Sequence, residues 1–147
     1  MNPHHDVVLV VEDDPDDRHL IARAFRKAQV QVPIHFADDG EQAVAFLSGA
    51  AADPAAMRPA VVLLDLKLPR RSGFEVLTWV KAHESLKRIP IVVLTSSRES
   101  SDLQRAYDLG ANSYLVKPAK PDALLQMVAT IDAYWLRLNE AAGARLG

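Results

Sequence analysis

Residues 61–69 read VVLLDLKLP: four apolar residues run into an aspartate, and a proline closes the stretch. Residues 7–17, VVLVVEDDPDD, repeat the pattern, with five apolar residues followed by a burst of acid. Short continuous apolar runs mark strands covered on both faces, as in parallel sheets. Outward from these two, strand and helix periods alternate. Asp16–Gln29 carries Leu20, Ile21, Ala24, Phe25 and Ala28 at steps of three and four, a helical pattern. Ile34–Ala37 is a short strand ended by the turn DDG at 38–40. Glu41–Leu47 reads as a helix stopping at Ser48-Gly49, and AAADPAAMRPA (50–60) as a loop or frayed helix end. Ala60–Leu64 is the strongest strand. Gly73 to about Lys87 is a helix, Ile91–Leu94 a strand, and Glu99–Leu109 a helix closed by Gly110. Tyr114–Val116 is a fifth strand and Pro121–Asn139 a long final helix. Five βα units in this order specify a doubly wound, five-stranded parallel α/β sheet with right-handed crossovers and helices on both faces.

The bulk numbers frame what such a sheet is used for. A chain of 147 residues reads as one domain with no second, output domain, since only AAGARLG follows the last helix. Apolar residues are 49% and charged residues 24%, an ordinary globular balance. The formal net charge of −2 gives no bulk attraction to nucleic acid or to an anionic membrane. No cysteine is present, which excludes disulfides, thiolate chemistry and cysteine-based metal sites. The first apolar run ends at Glu12, which argues against a signal peptide, and no run approaches the roughly 20 residues of a membrane span. The expectation is a cytoplasmic protein.

In open parallel sheets, ligands bind outside the carboxyl ends of the strands, where the strand order reverses. Glu12 and Asp13 follow the first strand, Asp65 ends the third, Thr95 and Ser96 the fourth, and Lys117 the fifth. Like-charged acids held together there are costly without a cation. Oxygen ligands without His or Cys suit a hard ion, Mg²⁺ first. A lysine and a hydroxyl nearby suit a phosphoryl group. Asp14, Asp16 and Asp17 are accounted for by a helix start alone: Asp14 as N-cap, Pro15 at the first helical position, and Asp16 and Asp17 against the helix dipole. The turn DDG (38–40) has no partner acids and receives no role. His4 and His5 read as terminal tail.

The segments VVEDD, LLDLKLPRRSG, VLTSS and YLVKPA, in this order and spacing, resemble the receiver domain of two-component response regulators. The resemblance spans about residues 6–138 and implies the (βα)₅, flavodoxin-like receiver fold. It implies Asp65 as phosphoacceptor and Glu12 and Asp13 as the acid pair that holds Mg²⁺. The backbone carbonyl of Lys67 is implied as the third protein ligand. Thr95 is implied as the hydroxyl that binds the phosphoryl group, Lys117 as the site lysine and Tyr114 as the aromatic switch, which turns inward when Thr95 moves. The family's pattern also implies a cis Lys117–Pro118 bond. The implied partner is a histidine kinase, and the loop before the third strand and the segment after it look like regulators paired with bacterial phytochrome kinases.

Two other classes share parts of this pattern. A Mg²⁺-dependent phosphatase of the haloacid dehalogenase type also places an aspartyl nucleophile at a strand end. It needs a second aspartate two residues later as general acid, where this chain has Lys67. A flavodoxin-like electron carrier needs a phosphate cradle after the first strand, where this chain has acids. The final helix adds a last expectation. Leu124, Val128, Ile131, Trp135 and Leu138 recur at alternating steps of four and three, the spacing of a helix–helix seam. A homodimer is expected there, with Ile131, Tyr134, Trp135 and Leu138 at the contact.

Overall fold

The computed structural model describes residues 6–142. His4 and His5 and the last five residues lie outside the described residues. Five strands, β1 (Asp6–Val11), β2 (Ile34–Ala37), β3 (Arg58–Leu64), β4 (Ile91–Thr95) and β5 (Ser113–Val116), form one parallel sheet in the order β2-β1-β3-β4-β5. Five helices connect and cover them: α1 (Pro15–Lys27), α2 (Gly40–Ala52), α3 (Gly73–Ala82), α4 (Ser100–Asp108) and α5 (Pro121–Ile131).

The apolar strands are buried on both faces because successive side chains point to opposite sides. Leu9, Val11, Val62, Leu64, Ile91 and Val93 pack with α2, α3 and Ala106 of α4. Val8, Val10, Val61, Leu63, Val92 and Leu94 pack with Ile21, Ala24 and Phe25 of α1 and Leu124, Val128 and Ile131 of α5. β1 sits between β2 and β3, so the strand order reverses there. The crevice that this reversal opens lies beyond Val11 and Leu64, at Glu12, Asp13 and Asp65.

Several boundaries differ from the sequence reading. α2 does not stop at Ser48-Gly49 but runs to Ala52. A Cβ on Gly49 would meet no atom within 4 Å, three alanines continue the helix, and Arg58 caps the carbonyl of Ala50 at 3.1 Å. α3 ends five residues earlier than expected. His83 turns extended and its carbonyl accepts from Leu86 and Lys87, which drives Leu86 into the core.

The final helix is not one α-helix. After Ile131 the backbone widens into a π-helix, Asp132–Leu138, closed by an Asn139 N–H bond to the Tyr134 carbonyl at 2.6 Å and an Arg137–Asp132 pair at 2.8 Å. The wider turn rotates the stripe out of register, because it adds residues per turn. Leu124, Val128 and Ile131 belong to the core of their own chain, and Trp135 packs against it. Ile131 is only 3% exposed, whereas Tyr134 and Leu138 are 49% and 72% exposed. Ile131 is therefore buried within its own chain and Trp135 is partly buried against it, whereas Tyr134 and Leu138 stand exposed.

The Lys117–Pro118 bond is also not cis, since the described residues hold no cis peptide. Trans is the intrinsically preferred isomer of such a bond. Here it continues the strand, with the Lys117 N–H bonded to the Thr95 carbonyl at 2.8 Å.

Candidate functional site at the carboxyl edge of the sheet

The site is built from three strand ends and one helix start. β3 delivers Asp65, which is buried. Its Oδ1 accepts from the N–H groups of Leu66 at 2.7 Å and Lys67 at 3.3 Å, and its Oδ2 accepts from Lys117 Nζ at 3.0 Å. β1 delivers Glu12, buried, and Asp13, exposed. Arg18 fixes this acidic loop by donating to the carbonyls of Glu12 and Asp13, each at 2.9 Å. Carboxylate oxygens of Glu12, Asp13 and Asp65 all lie within 4.8 Å of one another.

β5 delivers Lys117. Its ammonium reaches Glu12, Asp65 at 3.0 Å and Asp17 at 2.9 Å. Burial pulls the lysine down, but the three carboxylates outweigh it and hold it above the ordinary lysine range. Burial pushes the Glu12 carboxyl up, and Lys117 and the Asp14 N–H lower it without cancelling that rise. Glu12, Asp17 and Asp65 thus share one ammonium, and Asp13 adds a fourth carboxyl group beside Glu12 and Asp65. The donor set is all oxygen, it is compact, and its surplus of negative charge favours a cation. These residues fit a divalent metal ion.

The remaining expected residues fall nearby. Thr95 is fully buried, and its Oγ1 accepts from the Ser97 N–H at 3.3 Å. The Tyr114 ring is half-buried against the core, and its hydroxyl donates to the Ser97 carbonyl at 3.1 Å. In this conformer the tyrosine is anchored to the loop after β4. Lys67 places its N–H on Asp65, while its ammonium points out to Asp102 at 4.0 Å.

Four residues escaped the sequence reading. Asp17 belongs to the site and not only to the helix dipole. It lies in the first turn of α1 and meets Lys117, 100 residues away, a contact with no local signature. Arg18, next to it, gave none either. Gly73 allows α3 to start against the phosphoacceptor loop: a Cβ there would lie 2.1 Å from the Asp65 carbonyl oxygen. Asp39, in the turn that received no role, is the buried N-cap of α2 and pairs with Arg70 at 3.2 Å.

A family model for the response regulator receiver domain matches residues 8–129. This chain belongs to the response regulator receiver family. The receiver is 40% identical over 137 residues to the probable methanogenesis regulatory protein FilR2 of Methanothrix harundinacea, covering 93% of this chain and 88% of that one. It is 38% identical over 130 residues to response regulator Rcp1 of Synechocystis, covering 88% of each. The structure of Rcp1 in its Mn²⁺-bound form has a TM-score of 0.81 at 36% identity, over 92% of this chain and 97% of that one. The phosphorylated cyanobacterial phytochrome response regulator RcpA has a TM-score of 0.85 at 37% identity, over 94% and 99%. The receiver is therefore a signalling domain of the group that contains the phytochrome response regulators. The phosphatase alternative is not retained.

Proposed function

We propose that this receiver takes a phosphoryl group from a histidine kinase onto Asp65. One observation carries the reading: a buried carboxylate at the strand-order reversal is held by backbone N–H groups on one oxygen and by Lys117 on the other, inside an acid cluster that fits a metal. The Asp65 carboxylate attacks phosphorus, the P–N bond of the phosphohistidine breaks, and the imidazole nitrogen keeps the electron pair and takes up a proton. Glu12, Asp13, Asp65 and the Lys67 carbonyl would hold Mg²⁺, which would supply the charge neutralisation that an anionic nucleophile needs to meet an anionic phosphoryl group. Lys117 supplies a point charge from the other side. No carboxyl group stands two residues after Asp65 to act as general acid, so the acyl phosphate persists as a signal and decays slowly, without turnover. The test is intact mass after incubation with phosphoramidate and Mg²⁺. One added phosphoryl group, mapped to the Asp65 peptide, is the expected result, and a labelled protein with an unmodified Asp65 peptide overturns it.

Metal binding separates the site acids from the helix-start acids. Asp13→Asn and Asp65→Asn are expected to weaken Mg²⁺ by about tenfold or more, since each removes one of few charged ligands. Asp16→Asn is expected to stay within about a factor of two, because Asp16 is exposed and outside the cluster. Mg²⁺-dependent thermal stabilisation reads both. Equal losses at Asp13 and Asp16 would place the ion elsewhere.

The output reading follows from the loop after β4. A phosphoryl oxygen that captures the Thr95 hydroxyl takes it from the Ser97 N–H, and the Ser97 carbonyl is the anchor of Tyr114. A local charge change thus reaches the α4–β5–α5 face. In this reading the signal is taken up there by another protein in the cytoplasm. Among the described residues no helix is long and apolar enough to cross a membrane, and neither membrane nor nucleic acid is a partner in this reading. A phytochrome kinase is the partner favoured by the likeness to RcpA.

The same face serves as a homodimer contact. Leu115, Met127, Tyr134 and Trp135 line an open groove of about 670 Å³ along β5 and the final helix, and partly exposed apolar surface of this kind marks an interface. Light scattering is expected to give a dimer for the parent, and Tyr134→Glu with Leu138→Glu is expected to weaken it at least about tenfold by placing charge at an apolar contact. A parent that stays monomeric at high micromolar concentration removes this role.

A further inference from the structure

We propose that Asp17 is a positioning residue that holds Lys117 in the unphosphorylated site and surrenders it to the phosphoryl group. The inference rests on Asp65 being the acceptor. An ammonium carries three N–H donors. In this structure three carboxylates take them: Glu12, Asp65 and Asp17. A phosphoryl oxygen arriving on Asp65 needs one of those donors, so one carboxylate must let go.

Exposure decides which one. The Glu12 and Asp65 side chains are 3% and 8% exposed, and an unpaired charge at either is costly. Asp17 is 34% exposed and can exchange Lys117 for water. Glu12 is tied a second time, its other oxygen accepting from the Asp14 N–H at 3.1 Å, and Asp65 is tied by the Leu66 and Lys67 N–H groups. Asp17 also borders a small crevice with Leu20, Leu124 and Pro118, which leaves it room to turn outward.

Release has a second effect. Asp17 lies in the first turn of α1 and Lys117 ends β5, so their bond ties α1 to the loop that leads into α5. Phosphorylation then loosens this tie on the α1 side of the molecule, away from Tyr114.

The experiment uses the full chain in two arms. With phosphoramidate and Mg²⁺, the initial rate of Asp65 labelling by intact mass is expected to rise about three- to tenfold in Asp17→Asn, because Lys117 is freed and one like charge removed. Asp16→Asn, which removes the same charge from the same turn, is expected within about twofold of the parent. Asp17→Glu, which keeps a carboxylate within reach of Lys117, is expected to return to the parent rate. In the second arm, metal-free and without phosphodonor, reductive methylation of Lys117 is followed by peptide mass. Loss of the Asp17 carboxylate removes the outermost of the three groups that hold the amine and opens it toward solvent, and Asp17→Asn is expected to be methylated at least about threefold faster than the parent or Asp16→Asn. Methylation that is equal in all three proteins overturns the tie. Labelling rates that are equal in Asp17→Asn and Asp16→Asn overturn the competition. A parent that never gains a phosphoryl group overturns the Asp65 reading and the surrender with it, while the methylation arm still reports whether Asp17 holds Lys117.

Discussion

Asp65→Asn is expected to abolish phosphoryl acceptance and to leave the fold intact or more stable. The carboxamide is nearly the same shape, and its oxygen can still accept the Leu66 and Lys67 N–H groups that now hold Oδ1. It is not a nucleophile toward phosphorus at neutral pH. Labelling is expected below about one-thousandth of the parent rate, a barrier increase of about 4 kcal/mol or more. Stability moves the other way. Three carboxylates share one ammonium at this edge and Asp13 lies close to two of them, so removing one charge relieves repulsion that the fold otherwise carries for function. Without metal, a gain of about 0.5–2 kcal/mol is expected by urea denaturation. Added Mg²⁺ should close the gap, because an ion at about a hundredfold excess over its dissociation constant stabilises the parent by about 2.7 kcal/mol. The variant, short of one ligand, gains less. Robust labelling of Asp65→Asn would remove it as acceptor, and a large loss of stability would mean that its charge is structural.

The parts of this design that were legible in the sequence are those with a one-dimensional signature. VVLVV and VVLL could be read as strands because both faces of a parallel sheet are covered, and the acids after them fell at the reversal of strand order without knowledge of any contact. Asp14 as N-cap of α1 and Gly110 in a left-handed turn were legible for the same reason: each obeys a local rule. What escaped depends on elements distant in sequence. Asp17 meets Lys117 across 100 residues. The repeat Leu124, Val128, Ile131, Trp135, Leu138 looked like a seam because a straight α-helix was assumed, and the π-helical turn breaks the assumption at Asp132. Gly49 resembled a helix end and is a helix interior. Gly73 was legible as the start of a helix but not as a point of contact with the Asp65 loop.

Those two glycines give opposite answers to one substitution. Gly49 lies within α2 with nothing near its absent side chain. Gly49→Ala is expected to stabilise by about 0.5–1 kcal/mol, since alanine loses less backbone freedom in a helix. Gly73 starts α3, behind the Ser72–Glu75 capping box, and the same propensity gain applies to it. Its Cβ, however, would lie 2.1 Å from the Asp65 carbonyl oxygen and 2.6 Å from the Leu66 Cα. Both are backbone atoms, so no flexible side chain can give way. Helix and loop must separate, which strains the Gly73 N–H bond to the Leu66 carbonyl at 3.0 Å and draws Phe74, Val76 and Leu77 from the core. Overpacking of this kind exceeds the propensity gain, and Gly73→Ala is expected to destabilise by about 2–4 kcal/mol. The chemistry is expected to fall with it, by about tenfold or more in labelling rate among folded molecules, because the displaced backbone is the one that carries Asp65 and aims its carboxylate. Urea denaturation and phosphoramidate labelling on the two alanine variants decide it. A Gly73→Ala protein as stable and as readily labelled as Gly49→Ala would mean that the close approach of α3 does not position the acceptor.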